Sequence, residues 1–266
     1  KEVVCGLGEI GLPIFKLLST SFLTQGFDIN PKCNPKSKLN FDNYETKFLH
    51  ICIPFNSQFQ SNIQKLAKKF SPKGIVIHST ISPGTTKKIQ QKIKNIPIIY
   101  SATRGLHKRM YSDLKTYSKF FSIEKNSPNE KWASSQFVSM MKKCGVKTKK
   151  MSTPVSLELA KIVVDTTYYG WLINYAQLSN VIAKKHKVDY DEMWSFADEI
   201  HKYVGNRPKL FPGFIGGHCV IPNLKLIDDD QLWQVNKINE FYLKKIPSAK
   251  KINKKYEKSK KQSYDV

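Results

Sequence analysis

A short apolar run, Val3-Val4-Cys5, leads straight into Gly6-Leu7-Gly8-Glu9-Ile10-Gly11. A strand opening onto G-x-G-x-x-G constrains the fold more than any other feature of the chain. Ile14, Leu17, Leu18 and Phe22 follow at helical spacing. In such a strand-turn-helix unit the first glycine allows the tight turn, the second lets the backbone approach a pyrophosphate, and the third lets the helix pack closely on the strand. The phosphate rests on the helix N-terminus, where unsatisfied N–H groups favour an anion. Glu9 and Ile10 lie in the same turn and are candidate cofactor contacts, and Pro13 is tolerated in the first helical turn. Asp28 comes twenty-two residues after Gly6. An acid at that distance either binds the ribose hydroxyls of NAD or is an ordinary turn aspartate. Lys32 and Lys36 lie close enough to weaken a preference for NAD over NADP.

Further strand-helix units follow. Phe48 to Ile53 reads as a buried strand, Pro54 opens a loop, and a helix runs from about Ser57 to Phe70. Gly74 to His78 is the next strand, followed by Ser79-Thr80-Ile81-Ser82-Pro83-Gly84-Thr85-Thr86 and a helix to Ile93. Short strands fit Ile96–Tyr100, Lys119–Ile123 and Val146–Lys149. This alternation predicts a doubly wound parallel sheet of Rossmann type over residues 1–152. Ligands of such sheets lie at the carboxyl ends of strands, where Pro54, Ser79 and Thr80 fall.

The second half reads differently. From Pro154 to His186 a long helix is apolar over much of its circumference, which predicts burial. A second helix covers Asp189 to Val204, and a third Asp228 to Lys245. Between them lies Asn206-Arg207-Pro208, then Phe211-Pro-Gly213-Phe-Ile-Gly216-Gly217-His218-Cys219-Val-Ile-Pro222. A thiol on a glycine-rich loop is a candidate nucleophile. Phe211, Gly213, Gly216, Gly217 and Arg207 are candidate substrate contacts, although Arg207 reads almost as well as a surface arginine. His218 would lower the thiol pKa when protonated, or is a plain loop residue. The expectation is an all-α domain over 153–245 and a basic tail over 246–266.

The chain has 266 residues, 40% hydrophobic and 12% aromatic, enough for a globular core. No apolar run reaches the roughly 18 residues of a membrane span. The most apolar stretch, Ile162 to Ile182, is interrupted by Asp165, Asn174 and Gln177. The opening shows no signal-peptide pattern. Five scattered cysteines without C-x-x-C argue against a zinc site or disulfide framework, and fit reduced thiols and a cytoplasmic protein. No metal is expected. The net charge of +23 would attract nucleotides or other anions. The lysines are spread along the chain, and no zinc-finger, RNP or Arg-rich motif argues for nucleic acid. Only Lys244 to Lys261, with nine lysines, forms a dense block, which reads as a solvated or disordered tail.

The thiol loop resembles the G-x-G-G-x-C-x-P loop of the UDP-glucose/GDP-mannose dehydrogenase family. S-T-I-S-P-G-T-T at 79–86 is similar to that family's S-T-V-x-P-G-T-T, which lines the nicotinamide side. Glu158-Leu-Ala-Lys161 resembles the E-x-x-K that opens the family's dimer helix, and Asn236-Lys-Ile-Asn239-Glu240 the run beyond its thiol loop. The resemblance covers about residues 3 to 245 and two of the family's three domains, without the C-terminal domain that helps hold the substrate's nucleotide. It implies NAD as cofactor, a nucleotide sugar as substrate, and a homodimer through the 154–186 helix, which would make the all-α domain over 153–245 a dimerisation domain. It also implies Cys219 as the nucleophile that traps an aldehyde and forms a thioester, with Lys161 stabilising an oxyanion. Lys161 also reads as an ordinary ion-pair partner of Asp165 or Glu158.

Three positions depart from the family pattern. Thr103 stands where the family carries its water-activating glutamate, Asp165 replaces an asparagine, and Asn223 replaces an aspartate. Threonine is no general base near neutral pH, while Asp165 and Asn223 remain candidates to position water or protons. Arg104, His107 and Arg109 crowd the Thr103 region and favour an anion there. Three readings follow: a four-electron nucleotide-sugar dehydrogenase, a two-electron alcohol or hydroxy-acid dehydrogenase, or a non-catalytic nucleotide-binding homologue.

Overall fold

The computed structural model describes residues 1–36, 39–206, 208–217 and 219–250. The chain divides into two compact units, Lys1–Lys161 and a second beginning at Ile162.

The first unit carries a seven-stranded sheet: β1 (Glu2–Cys5), β2 (Thr24–Phe27), β3 (Phe48–Ile51), β4 (Gly74–Ile77), β5 (Ile98–Tyr100), β6 (Lys119–Ile123) and β7 (Thr148–Lys150). Their order is β2-β1-β3-β4-β5-β6-β7. All neighbours are parallel except β5 and β6. The expected doubly wound, Rossmann-type sheet is therefore present, with one antiparallel pairing that the strand-helix alternation did not foretell. β1, β3 and β4 are buried throughout, because helices cover both faces. On one face Ile14, Leu17 and Leu18 of α1 (Gly11–Ser19) pack with Val4, Phe48, Val76 and Ile99. Burying each such side chain stabilises by roughly 1.5–3 kcal/mol. α4 (Met110–Thr116) and α5 (Glu130–Lys143) complete that layer. On the other face lie α2 (Phe59–Phe70), α3 (Thr85–Lys92) and α6 (Pro154–Leu159). The edge strand β7 is short and exposes Lys149 and Lys150, which discourages further pairing.

After β1 the chain adds β2 on one side and then β3 on the other. This reversal places a crevice at the carboxyl ends of β1 and β3, where such sheets bind ligands.

Helical residues run from Pro154 to Lys185, but not as one α-helix. Ala160–Thr167 is a π-helical segment between α6 and α7 (Tyr168–Lys185). The division between the units falls inside it. In the second unit, α8 (Tyr190–Ser195) and α9 (Asp198–Val204) replace the single helix expected over 189–204. Asp189 caps α8 by accepting Glu192 N–H at 2.8 Å. α10 (Val220–Leu224) and α11 (Gln234–Lys245) complete the unit. Ile215, Val220, Leu224 and Val235 form its core. Gly170 allows the close packing there: an added Cβ would lie 2.7 Å from Val220 Cγ1 and 2.9 Å from Val235 Cγ1.

Burial of the 154–186 helix is corrected in part: Tyr168, Tyr175 and Ile182 are exposed, although Tyr175 meets Trp194 of α8 edge-on. At the expected tail, Ile246 and Ala249 are buried beside Tyr242, and 251–266 lie outside the described residues. Among the described residues no helix is long and apolar enough to cross a membrane.

Candidate active site

The glycine turn is fixed by close backbone contacts. Gly6 takes φ +87°, and a Cβ there would sit 2.9 Å from both the carbonyl carbon and oxygen of Cys52, at the end of β3. A Cβ on Gly11 would lie 1.6 Å from Gly6 O, so α1 approaches β1 only without a side chain. Gly8 differs: an added Cβ meets nothing within 4 Å. The first and third glycines thus serve the fold, and the second borders open space at the N-terminal end of α1. Asp28 is tied to this turn, since Leu7 N–H donates to its Oδ2 at 2.7 Å. Asn30 N–H donates to Oδ1 at 2.9 Å, and Asn34 brackets the Asp28 backbone. Asp28 is therefore aimed beside the glycine turn.

The neighbouring strand ends are joined by Ser79, whose hydroxyl donates to Ile53 O at 2.6 Å. Gly6, Gly8, Glu9, Ile10, Asp28, Pro54, Ser79 and Thr80 all fall at the carboxyl ends of β1 to β4 or in the turns that follow, and Gly11 opens α1. Open space at Gly8, a fixed acid beside it and adjacent strand ends fit a dinucleotide.

Glu158 has a structural partner. It is fully buried and caps α3, accepting Gly84 N–H at 2.5 Å, Thr86 N–H at 3.0 Å and the Thr86 hydroxyl at 2.6 Å. The E-x-x-K and P-G-T-T motifs therefore meet. Burial raises the Glu158 pKa, and the Thr86 and Gly84 hydrogen bonds oppose that rise. Lys161 lies one turn further on, half-buried in the π segment.

The expectation of an anion near Thr103 is corrected. His107 pairs with Glu9 at 2.8 Å and Arg109 with Asp113 at 3.0 Å. Arg104 donates to Ser118 O at 2.9 Å and lies over the Tyr117 and Phe120 rings. All three side chains already have partners. Thr103 is buried and accepts from Lys119, a residue that reads in sequence only as the polar start of a strand.

A buried polar chain also went unread. Glu2 Oε2 lies 3.4 Å from His50 Nε2, His50 Nδ1 lies 3.0 Å from His78 Nε2, and His78 Nδ1 lies 3.2 Å from Ser101 O. Histidines inside otherwise apolar strands were the available signal. Burial above all, then Lys119 and His50, hold His78 well below its ordinary pKa.

In the second unit Cys219 is exposed and immediately precedes α10. Its loop is clamped by buried amides. Asn239 bonds both backbone groups of Ile215, and Gln177 Nε2 donates to Gly213 O at 2.6 Å and to Asn239 Oδ1 at 3.1 Å. The Tyr242 hydroxyl donates to Pro212 O at 2.5 Å. Asn223 N–H donates to Cys219 O at 3.2 Å, and its amide to Thr166 Oγ1 at 3.4 Å. Asn223 thus borders the residue next to Asp165, which is half-buried. Phe211 is half-buried, Gly213 buried, and Gly216 and Gly217 exposed, Gly217 with φ +81°. Arg207 and His218 lie outside the described residues. Among the described residues no disulfide forms and no group of three ligands could hold a metal.

This architecture is a Rossmann-type α/β unit followed by a helical part. No protein-family model and no curated protein matches the sequence. Solved structures match the fold. UDP-D-ManNAc dehydrogenase from Pyrococcus horikoshii is 18% identical, with TM-score 0.74 over 91% of this chain and 68% of its own. NDP-N-acetyl-D-galactosaminuronic acid dehydrogenase from Methanosarcina mazei Go1 is 17% identical, with TM-score 0.69 over 91% and 66%. A 3-hydroxyisobutyrate dehydrogenase from Mycobacterium tuberculosis is 13% identical, with TM-score 0.65 over 91% and 93%.

Proposed function

We propose that the chain is an NAD-dependent dehydrogenase that oxidises the primary alcohol of a nucleotide sugar to the carboxylate. The observation that carries this reading is the Cys219 loop: an exposed thiol on a backbone held by buried amides from two helices. The glycine turn, Asp28, Pro54, Ser79 and Thr80 would hold NAD, which when bound supplies the hydride acceptor. Cys219 Sγ adds to the aldehyde carbon, and the thioester that results from the second oxidation is cleaved by water. Lys161 stabilises the oxyanion as a point charge. Asp165 and Asn223 position water or protons, while Arg207, Phe211, Gly213, Gly216 and Gly217 contact the substrate. Likeness to the UDP-D-ManNAc dehydrogenase fold supports the substrate class. The test is NADH yield with UDP-ManNAc, UDP-glucose and GDP-mannose. Two NADH per sugar are expected, with Cys219→Ala unable to complete the second oxidation. No turnover of any of them, alongside tight NAD binding, would sink the reading.

A second reading is a two-electron hydroxy-acid dehydrogenase. It is favoured by Thr103, which offers no carboxylate for thioester hydrolysis, and by the match to 93% of a hydroxyisobutyrate dehydrogenase chain. One NADH per substrate and an active Cys219→Ala variant would establish it.

A further inference from the structure

β5 ends at Tyr100, and β6 returns antiparallel to it from Lys119. Lys119 therefore lies at the edge of the sheet where β1, β3, β4 and β5 finish, beside the crevice described above. It is only 6% exposed. Its Nζ lies 3.2 Å from Ala102 O and 2.8 Å from Thr103 Oγ1. Among the described residues it has no carboxylate partner. The titratable groups facing it are Cys52 at the end of β3, His78 at the end of β4, Arg104, and Lys161 beyond α6. Burial raises the pKa of the Cys52 thiol, so it stays uncharged and offers no counter-ion. An ammonium buried among like charges is disfavoured against the neutral amine. Burial first, with Lys161 and Arg104 adding to it, brings the Lys119 pKa from 10.5 to about 7. An uncharged amine has a lone pair, so the 2.8 Å contact also runs with the Thr103 hydroxyl donating to Nζ.

We propose that Lys119 and Thr103 form a proton relay at the strand ends, with Lys119 as the acceptor acting through the Thr103 hydroxyl. This rests on the dehydrogenase reading in either of its forms. As the substrate alcohol is oxidised, its hydroxyl proton passes to Thr103 Oγ, directly or through one water. The Thr103 proton passes to the Lys119 lone pair, and the hydride leaves to the nicotinamide dinucleotide of that reading. The ammonium then returns the proton to solvent by the reverse path. Threonine alone is no base at neutral pH, and the buried amine supplies what it lacks.

Lysine Nζ titration by NMR on ¹⁵N-lysine protein without cofactor or substrate tests the pair, the Lys119 signal being the one lost in Lys119→Arg. A midpoint near 7 is expected, and one above about 10 overturns the relay. In turnover, Lys119→Met should lower kcat/KM roughly 10²–10⁴-fold and flatten the pH-rate limb near neutrality, with NAD affinity unchanged. Lys119→Arg keeps charge and donors but yields no proton acceptor, so it should fail to rescue. Thr103→Ser should retain activity and Thr103→Val lose it, a pair that stands even if Lys119→Met does not fold. Wild-type activity in Lys119→Arg or Thr103→Val overturns the relay. A wild type that oxidises no sugar or hydroxy acid ends the dehydrogenase reading instead, and the relay's reaction with it. Turnover with a high Lys119 midpoint ends the relay alone.

Discussion

Asn239 holds both backbone polar groups of Ile215: Ile215 N–H donates to Oδ1 at 2.9 Å, and Nδ2 donates to the Ile215 carbonyl at 3.1 Å. Both residues are buried, and Ile215 lies four residues before Cys219 on the same loop. Replacing Asn239 by Leu keeps the volume but leaves two buried backbone groups without their partner, each costing about 1–3 kcal/mol. The expected result is a loss of roughly 2–6 kcal/mol in urea unfolding, with thermolysin cleaving the 211–217 segment sooner. A variant as stable and as resistant as the wild type would show that the amide does not hold the loop.

The glycine turn separates fold from ligand. Gly11→Ala forces a Cβ against Gly6 O at 1.6 Å, so α1 must shift. Overpacking of this kind costs about 1–3 kcal/mol or more. Gly8→Ala meets no protein atom within 4 Å, so its melting temperature should match the wild type. If a pyrophosphate lies over Gly8, NAD affinity by calorimetry should nevertheless fall at least tenfold. Unchanged affinity in Gly8→Ala would place the dinucleotide elsewhere.

Much of the first unit was legible because its strands are buried on both faces. Phe48-Leu-His-Ile51 and Gly74-Ile-Val-Ile77 read as near-continuous apolar runs, and the glycine spacing set the first turn. The antiparallel β5–β6 pairing was not legible, because it depends on how 101–118 with α4 folds back, not on any strand's own pattern. The π segment leaves no apolar period of its own, so Ala160–Thr167 read as ordinary helix. Asn174 and Gln177 read as interruptions of an apolar run. They are instead buried polar groups turned towards α11 and the thiol loop. A single sequence shows that such a residue is polar, not which backbone group it will meet.

The His50–His78 pair gives a pH dependence with a definite sign. Burial first, with Lys119 and His50, holds His78 well below its ordinary 6.5, so the folded state keeps it neutral. Below about pH 6.5 the unfolded chain binds a proton that the folded chain refuses. Stability attributable to this group is complete above pH 6.5 and falls as pH drops, by up to about 1.4 kcal/mol per unit. Urea unfolding between pH 7.5 and 5 should show this slope, and His78→Gln should reduce it. An equal slope in His78→Gln would assign the acid sensitivity to other groups.

Tyr168, Tyr175 and Ile182 are 60%, 65% and 55% exposed. They are separated by seven residues each, so they line one face of α7. Trp171, 37% exposed, lies on the same stripe. An exposed apolar stripe of this kind is a candidate contact surface. We propose that a homodimer through the 154–186 helix, which the family resemblance implies, would cover it with the same stripe of a second copy, as a two-fold interface requires. Sedimentation equilibrium should then give twice the chain mass for the wild type. Tyr168→Glu combined with Tyr175→Glu places like charges at the contact and should raise the dimer dissociation constant at least 100-fold. Circular dichroism should stay unchanged, since both side chains project from the surface. A wild type that sediments as a monomer at micromolar concentration would rule out this use of the helix.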